Sequence, residues 1–292
     1  MATEPTQRVS PVIAADRWTK PGKPGDDTPA SVQDAYRQTG FQLGGDLRLL
    51  EEGMNLQLKV VHHSHPSKFR THPLAAGLML WSRAFLAISD AAMAVTRGSY
   101  GSVAPLARLA CECIAAAHQA HTEEQAAFQE WLAGALQPNE EHKATAVTIG
   151  QFMAGSTLVS EADLGAVYRA SSEFARPHFG VAAALVAPES DRQKLAVTFA
   201  DQTFHFGWAE LTLGWLLRLC DVQLRLVQTP GAPYNITDEL AIEAAMWSKA
   251  AGQLLGRSDR CRVEEVMDGL DRRWLILNFR RQSGGAPRRL LL

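Results

Sequence analysis

The sequence predicts an all-α protein: a multi-helix bundle with an irregular N-terminal arm and a short extended C-terminal segment. Three observations predict it. Apolar residues return at helical spacing through most of the chain. Caps, prolines and glycines fall between those periodic stretches. Only one internal run, Leu195-Ala196-Val197-Thr198-Phe199, reads as β-like. The division expected is an arm over 1–29, a helical bundle domain over 30–256 and an extension over 257–292.

The arm carries Pro5, Pro11, Pro21, Pro24 and Pro29, which remove backbone donors and oppose both helix and central strand. Asp27-Thr28-Pro29 opens a long helix from about Ala30 to Val61, with a kink expected at Gly44-Gly45. Thr71-His72-Pro73 opens a second, which ends near Arg97-Gly98. A third runs from about Ser102 to His121. Thr122-Glu123-Glu124-Gln125 resembles a capping box for a fourth, and Pro138 opens a fifth. Ser160-Glu161-Ala162-Asp163 caps a sixth through Leu164, Val167 and Tyr168. The next helix, Asp201 to Val227, is apolar on most faces and belongs in the middle of the bundle. Thr237 caps the last long helix, Asp238 to Leu255. Beyond it, Val263–Leu270 reads as a short helix and Trp274–Phe279 as a strand or extended tail. No repeat of 20–50 residues is found.

Composition narrows the function. The chain has 292 residues, 46% hydrophobic, with a formal net charge of -2. It is too apolar for wholesale disorder and too neutral for uniform DNA coating. Cys111, Cys113, Cys220 and Cys261 show no zinc or redox spacing, which predicts reduced thiols in a cytoplasmic protein. Residues 1–10 carry Glu4 and Arg8 and no apolar run, so no secretory leader is expected. The uncharged stretch Ala144–Ser160 is too polar and too short to span a bilayer, so no membrane association is expected.

Four histidines, His62, His63, His65 and His72, cluster without a fixed ligand spacing; a solvated loop and a weak surface metal site are the two readings. No Glu-x-x-His occurs, which argues against a di-iron bundle. The P-loop, dinucleotide-binding, G-x-S-x-G and H-E-x-x-H signatures are absent. No metal and no cofactor is expected.

The polar residues inside apolar helices carry the candidate chemistry. Arg108 and Glu112 stand four apart on one helical face, so they pair or organise a polar pocket. Tyr168 and Ser171 share a face of the sixth helix, and Arg176-Pro177-His178 follows, with the proline turning the chain away from helix. Arginine, histidine, tyrosine and serine together either bind an anion, run acid–base chemistry or fix a turn. Asp201 and His205, four apart on the apolar helix, either hydrogen-bond and set the imidazole tautomer, or His205 is a satisfied core histidine. Arg272, Arg273, Arg280, Arg281, Arg288 and Arg289 interleave with Trp274 and Phe279, a mixture that serves single-stranded nucleic acid or forms a solvated tail.

Arg97-Gly98-Ser99-Tyr100, Pro105-Leu-Ala-Arg108-Leu-Ala-Cys-Glu112, Tyr168-x-x-Ser171 and His178 together resemble a widespread group of bacterial helical proteins with Arg-x-x-x-Glu and Tyr-x-x-Ser…His motifs. Over about residues 73–228 the pattern is distantly similar to HEPN-type helical domains, several of which are RNases in defence or toxin–antitoxin systems. Those enzymes use Arg-x4-6-His; here Arg108 and His118 are separated by nine residues, and Arg176 and His178 by one. The resemblance implies His178, Arg108 and Glu112 as catalytic candidates. Tyr168, Ser171, Arg176 and His205 are the candidate ligand-binding residues. The expected function is a polar pocket that binds a small anionic or nucleotide-like ligand, or RNA, in bacterial stress or defence. The alternatives are a metal-independent RNase and a non-enzymatic interaction module whose tail from Trp274 docks on a partner. A homo-oligomer through apolar helices is also expected.

Overall fold

A computed structural model describes residues 9–64, 71–121, 130–131, 137–146 and 155–292. The expected fourth helix lies almost wholly outside these residues. The chain is mostly helical, with two small antiparallel sheets in addition, so the purely all-α expectation is corrected.

The first long helix divides at Leu43 into α1 (Ala30–Gln42) and α2 (Gly44–Ser64). The break is sharper than the expected kink. Helix α3 (His72–Thr96) begins where its cap predicts: the Thr71 hydroxyl accepts from the Leu74 amide. It ends in a Schellman motif, Gly98 N–H to Val95 O and Ser99 N–H to Ala94 O, with Gly98 at φ 72°. By length and composition alone α3 is long and apolar enough to cross a membrane, with 44% of the qualifying window buried in the protein. Its buried face, including Trp81, Ile88 and Val95, packs into the common core. Helix α4 (Val103–Gln119) follows a short 3-10 turn and lies along α3.

Pro138 does not open a helix. It sits in a two-stranded hairpin, β1 (Gln137–Asn139) with β2 (Ala144–Ala146). Three further helices follow, α5 (Gly155–Ser160), α6 (Ala162–Phe174) and α7 (Phe179–Val186). The β-like run Leu195–Phe199 forms no strand.

Helix α8 spans Phe206–Leu226, and all but three of its 21 residues are buried. It starts five residues later than expected because His205, not Asp201, is its N-cap. Asp201 instead accepts from the Thr203 amide and hydroxyl in the preceding turn. The Asp201–His205 helical pair therefore does not form. Helix α9 (Asp238–Leu255) begins on the Thr237 cap as predicted.

The C-terminal region is a three-stranded antiparallel sheet: β3 (Arg262–Asp268), β4 (Asp271–Phe279) and β5 (Arg288–Leu291). The helix expected over Val263–Leu270 is thus a strand. Its Glu and Met residues favour helix locally, but ladder pairing with β4 from Arg262↔Leu277 to Asp268↔Asp271 prevails. Trp274, Ile276 and Phe279 are buried in the same core as the helices. The segment read as a docking tail thus packs on its own bundle.

A buried ion cluster joins the sheet to the bundle. Arg260, 3% exposed, pairs with Asp46 of α2 and lies 3.9 Å from Glu210 of α8. Glu210 also accepts the Cys261 amide at 2.7 Å. The arm is tied down by Trp18, whose amide donates to Asn55 and whose indole donates to Ser89.

Candidate functional site

The sheet packs beside α6 and α7 and leaves a cleft of about 730 Å³. Its floor is apolar: Phe174 and Trp274 are buried and meet edge to face at 6.4 Å. Its walls carry five arginines, Arg108 from α4, Arg169 from α6, Arg176 from the α6–α7 turn, and Arg272 and Arg273 from β4. Tyr168, Ser172, Glu173, His178 and Asp271 complete the polar lining. Phe179, 94% exposed, stands on the cleft at the first position of α7.

Local sequence explains the turn. Pro177 cannot continue α6, and the His178 amide donates to the Arg176 carbonyl at 2.8 Å. His178 becomes the N-cap residue of α7, yet its side chain makes no cap bond. The imidazole reaches back instead, with Nε2 at 2.7 Å from Glu173 Oε1. Arg176 shares the same carboxylate at 3.2 Å.

Arg108 Nε donates to Glu112 at 3.1 Å, so the pairing read from i,i+4 spacing holds. The setting differs from expectation. The two side chains are 44% and 40% exposed, so this is a solvated pair, with Arg108 on the cleft wall and Glu112 outside its lining, not charges held within the apolar helix. Hydrogen bonding from Glu112, then its charge, raises the Arg108 pKa, with a smaller contribution from Tyr168. The guanidinium stays cationic at every physiological pH.

Two carboxylates serve two partners each: Glu173 holds Arg176 and His178, and Glu265 holds Arg169 and Arg272. Arg273 leans on Asp268 at 3.3 Å. Fixed charge is therefore nearly balanced. Donor capacity is not, because in the pairs of Arg169, Arg272 and Arg273 the nitrogen nearest the carboxylate is Nε. Their terminal amines have no partner among the described residues, and a guanidinium carries five N–H donors in a planar fork.

Ser171 is fully buried, and its hydroxyl donates to the Tyr168 carbonyl within the helix. It cannot reach a ligand in the cleft. The neighbouring Ser172 does line it, and its hydroxyl is buried without a partner. Sequence reasoning had a signal for this residue, since Tyr168 and Ser172 stand four apart. Arg169, Arg272 and Arg273 were missed as members of the site because β4 joins α6 across about a hundred residues of chain.

His205 does not enter this cleft. It belongs to a second, smaller pocket, so the expected single site is two. It is 4% exposed, and its Nδ1 accepts the Trp208 amide as the α8 cap. Burial, with Arg281 adding to it, lowers its pKa to about 3. Of the histidine cluster, His62 and His63 sit in the last turn of α2, bonded to the Ala15 and Lys59 carbonyls; His65 lies outside the described residues. Among the described residues no group of three or more His, Cys, Asp or Glu is placed to hold a metal ion.

No family model, no curated protein and no solved structure matches this chain.

Proposed function

We propose that this protein binds a small anionic, nucleotide-like ligand in the cleft between α6, α7 and β4. The reading is carried by one observation: terminal amines of several arginines, with no hydrogen-bond acceptor among the described residues, line one cleft. Such forks match the oxygens of a phosphate. The partnerless Ser172 hydroxyl adds a further hydrogen-bonding group, and leaving it unpaired costs roughly 1–3 kcal/mol. Phe179 offers a bare ring for a base to stack on, and Tyr168 and Arg108 stand together on the α4 side. Short RNA is the extended form of the same ligand chemistry. The four free, buried cysteines support a reducing, cytoplasmic compartment, and the resemblance supplies the bacterial stress or defence setting.

Titrating the full chain with a fluorescent nucleoside diphosphate tests the reading. Arg108→Ala and His178→Ala are expected to weaken binding at least about tenfold each, a loss of about 1.4 kcal/mol. Both should leave the thermal transition near wild type, since both side chains are substantially exposed. Absence of saturable binding, or variants that merely melt earlier while binding normally, overturns it.

The Glu173–His178 contact favours a second reading, the metal-independent RNase. Glu173 orients the imidazole through Nε2, leaving Nδ1 to take the proton of a ribose 2′-hydroxyl as that oxygen attacks the adjoining phosphorus. The bond to the 5′-oxygen breaks, and the imidazolium returns the proton to that leaving oxygen. Labelled RNA left intact in chelator by wild type, at all times tested, removes this reading. A homo-oligomer is supported by Met79, Leu86 and Met93, exposed seven residues apart along α3; sedimentation of the full chain tests it.

A further inference from the structure

We infer that the pocket beneath the α8 N-terminus is a second, separate ligand site, built for a small carboxylate that carries an amino or hydroxyl group beside it. This inference is independent of the arginine cleft.

The pocket has a volume of about 370 Å³, the scale of small-molecule sites. Tyr100, from the turn before α4, and His205, from the α8 cap, both line it, and both are more than nine-tenths buried. Each holds a donor with no acceptor among the described residues. His205 Nδ1 accepts the Trp208 amide at 3.4 Å, and the ring is neutral at physiological pH. Its proton therefore sits on Nε2. No acceptor for that N–H is present among the described residues. The Tyr100 hydroxyl oxygen accepts the His205 amide at 3.1 Å, and its own proton has no acceptor among the described residues. Burial drives the Tyr100 pKa upward, so the phenol stays protonated and can act only as donor through that hydrogen.

Cationic charge comes from Arg281. It donates to the Thr203 hydroxyl at 2.8 Å, and Thr203 donates to Asp201. Its fork is thereby held in place with donors to spare; its nearest carboxylate, Glu189, is 3.9 Å away and mostly exposed. Two neutral donors and one guanidinium suit an anion with two oxygens. One oxygen takes the Tyr100 and His205 protons, and the other meets Arg281. Asp201 opposes a dianion such as phosphate. Its Oδ1 is occupied by Thr203, but its other oxygen has no partner among the described residues, which suits an ammonium or hydroxyl donor on the ligand. Leu185, Val186 and Trp208 supply an apolar wall.

The full chain, labelled with nitrogen-15 in histidine, is titrated with lactate, alanine, acetate and inorganic phosphate. The His205 ring is expected to report the Nε2–H tautomer. Lactate or alanine is expected to shift its Nε2 resonance saturably, with acetate weaker and phosphate without effect. Arg281→Gln and Tyr100→Phe are each expected to weaken that binding at least about tenfold. Because Tyr100→Phe also strips the His205 amide of its acceptor, Arg281→Gln is the deciding variant if Tyr100→Phe does not fold. Silence of the His205 resonance toward both acids, a response to phosphate alone, or wild-type affinity in Arg281→Gln overturns the inference.

Discussion

Acidification is expected to strike this fold first through His205. The ring is buried, caps α8 through Nδ1 and stacks on Phe279 at 4.5 Å. Desolvation and the nearby Arg281 hold its pKa at about 3, whereas the unfolded chain takes up that proton near 6.5. Between those values the unfolded state binds more protons, so stability is whole above pH 6.5 and falls as the pH drops toward 3. At about 1.36 kcal/mol per pH unit, moving from pH 7 to 4.5 removes about 2.5 kcal/mol through this residue alone. That is a large share of the 5–15 kcal/mol typical of a domain. The comparison to make is with His205→Asn, which keeps an N-cap acceptor but cannot titrate. At pH 7 the variant is expected to be less stable by about 1–3 kcal/mol, from lost stacking and packing. At pH 4.5 that gap should shrink by about 2.5 kcal/mol or reverse. Urea titrations followed by the fluorescence of the seven tryptophans give both numbers. His121, lowered to about 4, and the carboxylates act alike in both proteins and cancel. Equal loss of stability in wild type and variant between the two pH values would refute the reasoning.

Arg260→Met leaves Asp46 and Glu210 buried without their cation and is expected to cost about 3–5 kcal/mol by denaturant titration. Gly98→Ala is expected to cost at least about 1–2 kcal/mol: the residue sits at φ 72°, and a methyl there would lie 2.3 Å from the Gln202 carbonyl oxygen. A thiol reagent is expected to modify none of the four cysteines in the native protein and all four in denaturant. Each is buried, and desolvation raises every thiol pKa.

Local signals worked where the chain closes its own hydrogen bonds. Thr71, Gly98 and Thr237 each mark a helix end, because a cap is a contact within a few residues. The signals failed where a distant partner decides. Val263–Asp268 pairs with β4 and is a strand, and Pro138 sits in a hairpin whose register with β2 nothing nearby announces. The α8 start falls later than the apolar run suggests because its cap is His205, an unusual cap residue. Half of the candidate cleft was legible for the same reason. Arg108, Tyr168, Arg176 and His178 come from two short motifs, while Arg272 and Arg273 arrive on a strand whose place is set by Trp274 and Ile276 packing on the helices.

The Arg260 cluster also bears on the order in which the protein is made. Its guanidinium meets Asp46 across 214 residues of sequence. A ribosome delivers Asp46 and Glu210 before Arg260, and at about 5–20 residues per second the 50 residues between Glu210 and Arg260 take roughly 2.5–10 s. During that interval α2 and α8 can approach each other only with two like charges facing an unfilled position. The bundle is therefore expected to stay loosely closed on the nascent chain, open to chaperones, until the strand following Arg260 has emerged and locked it.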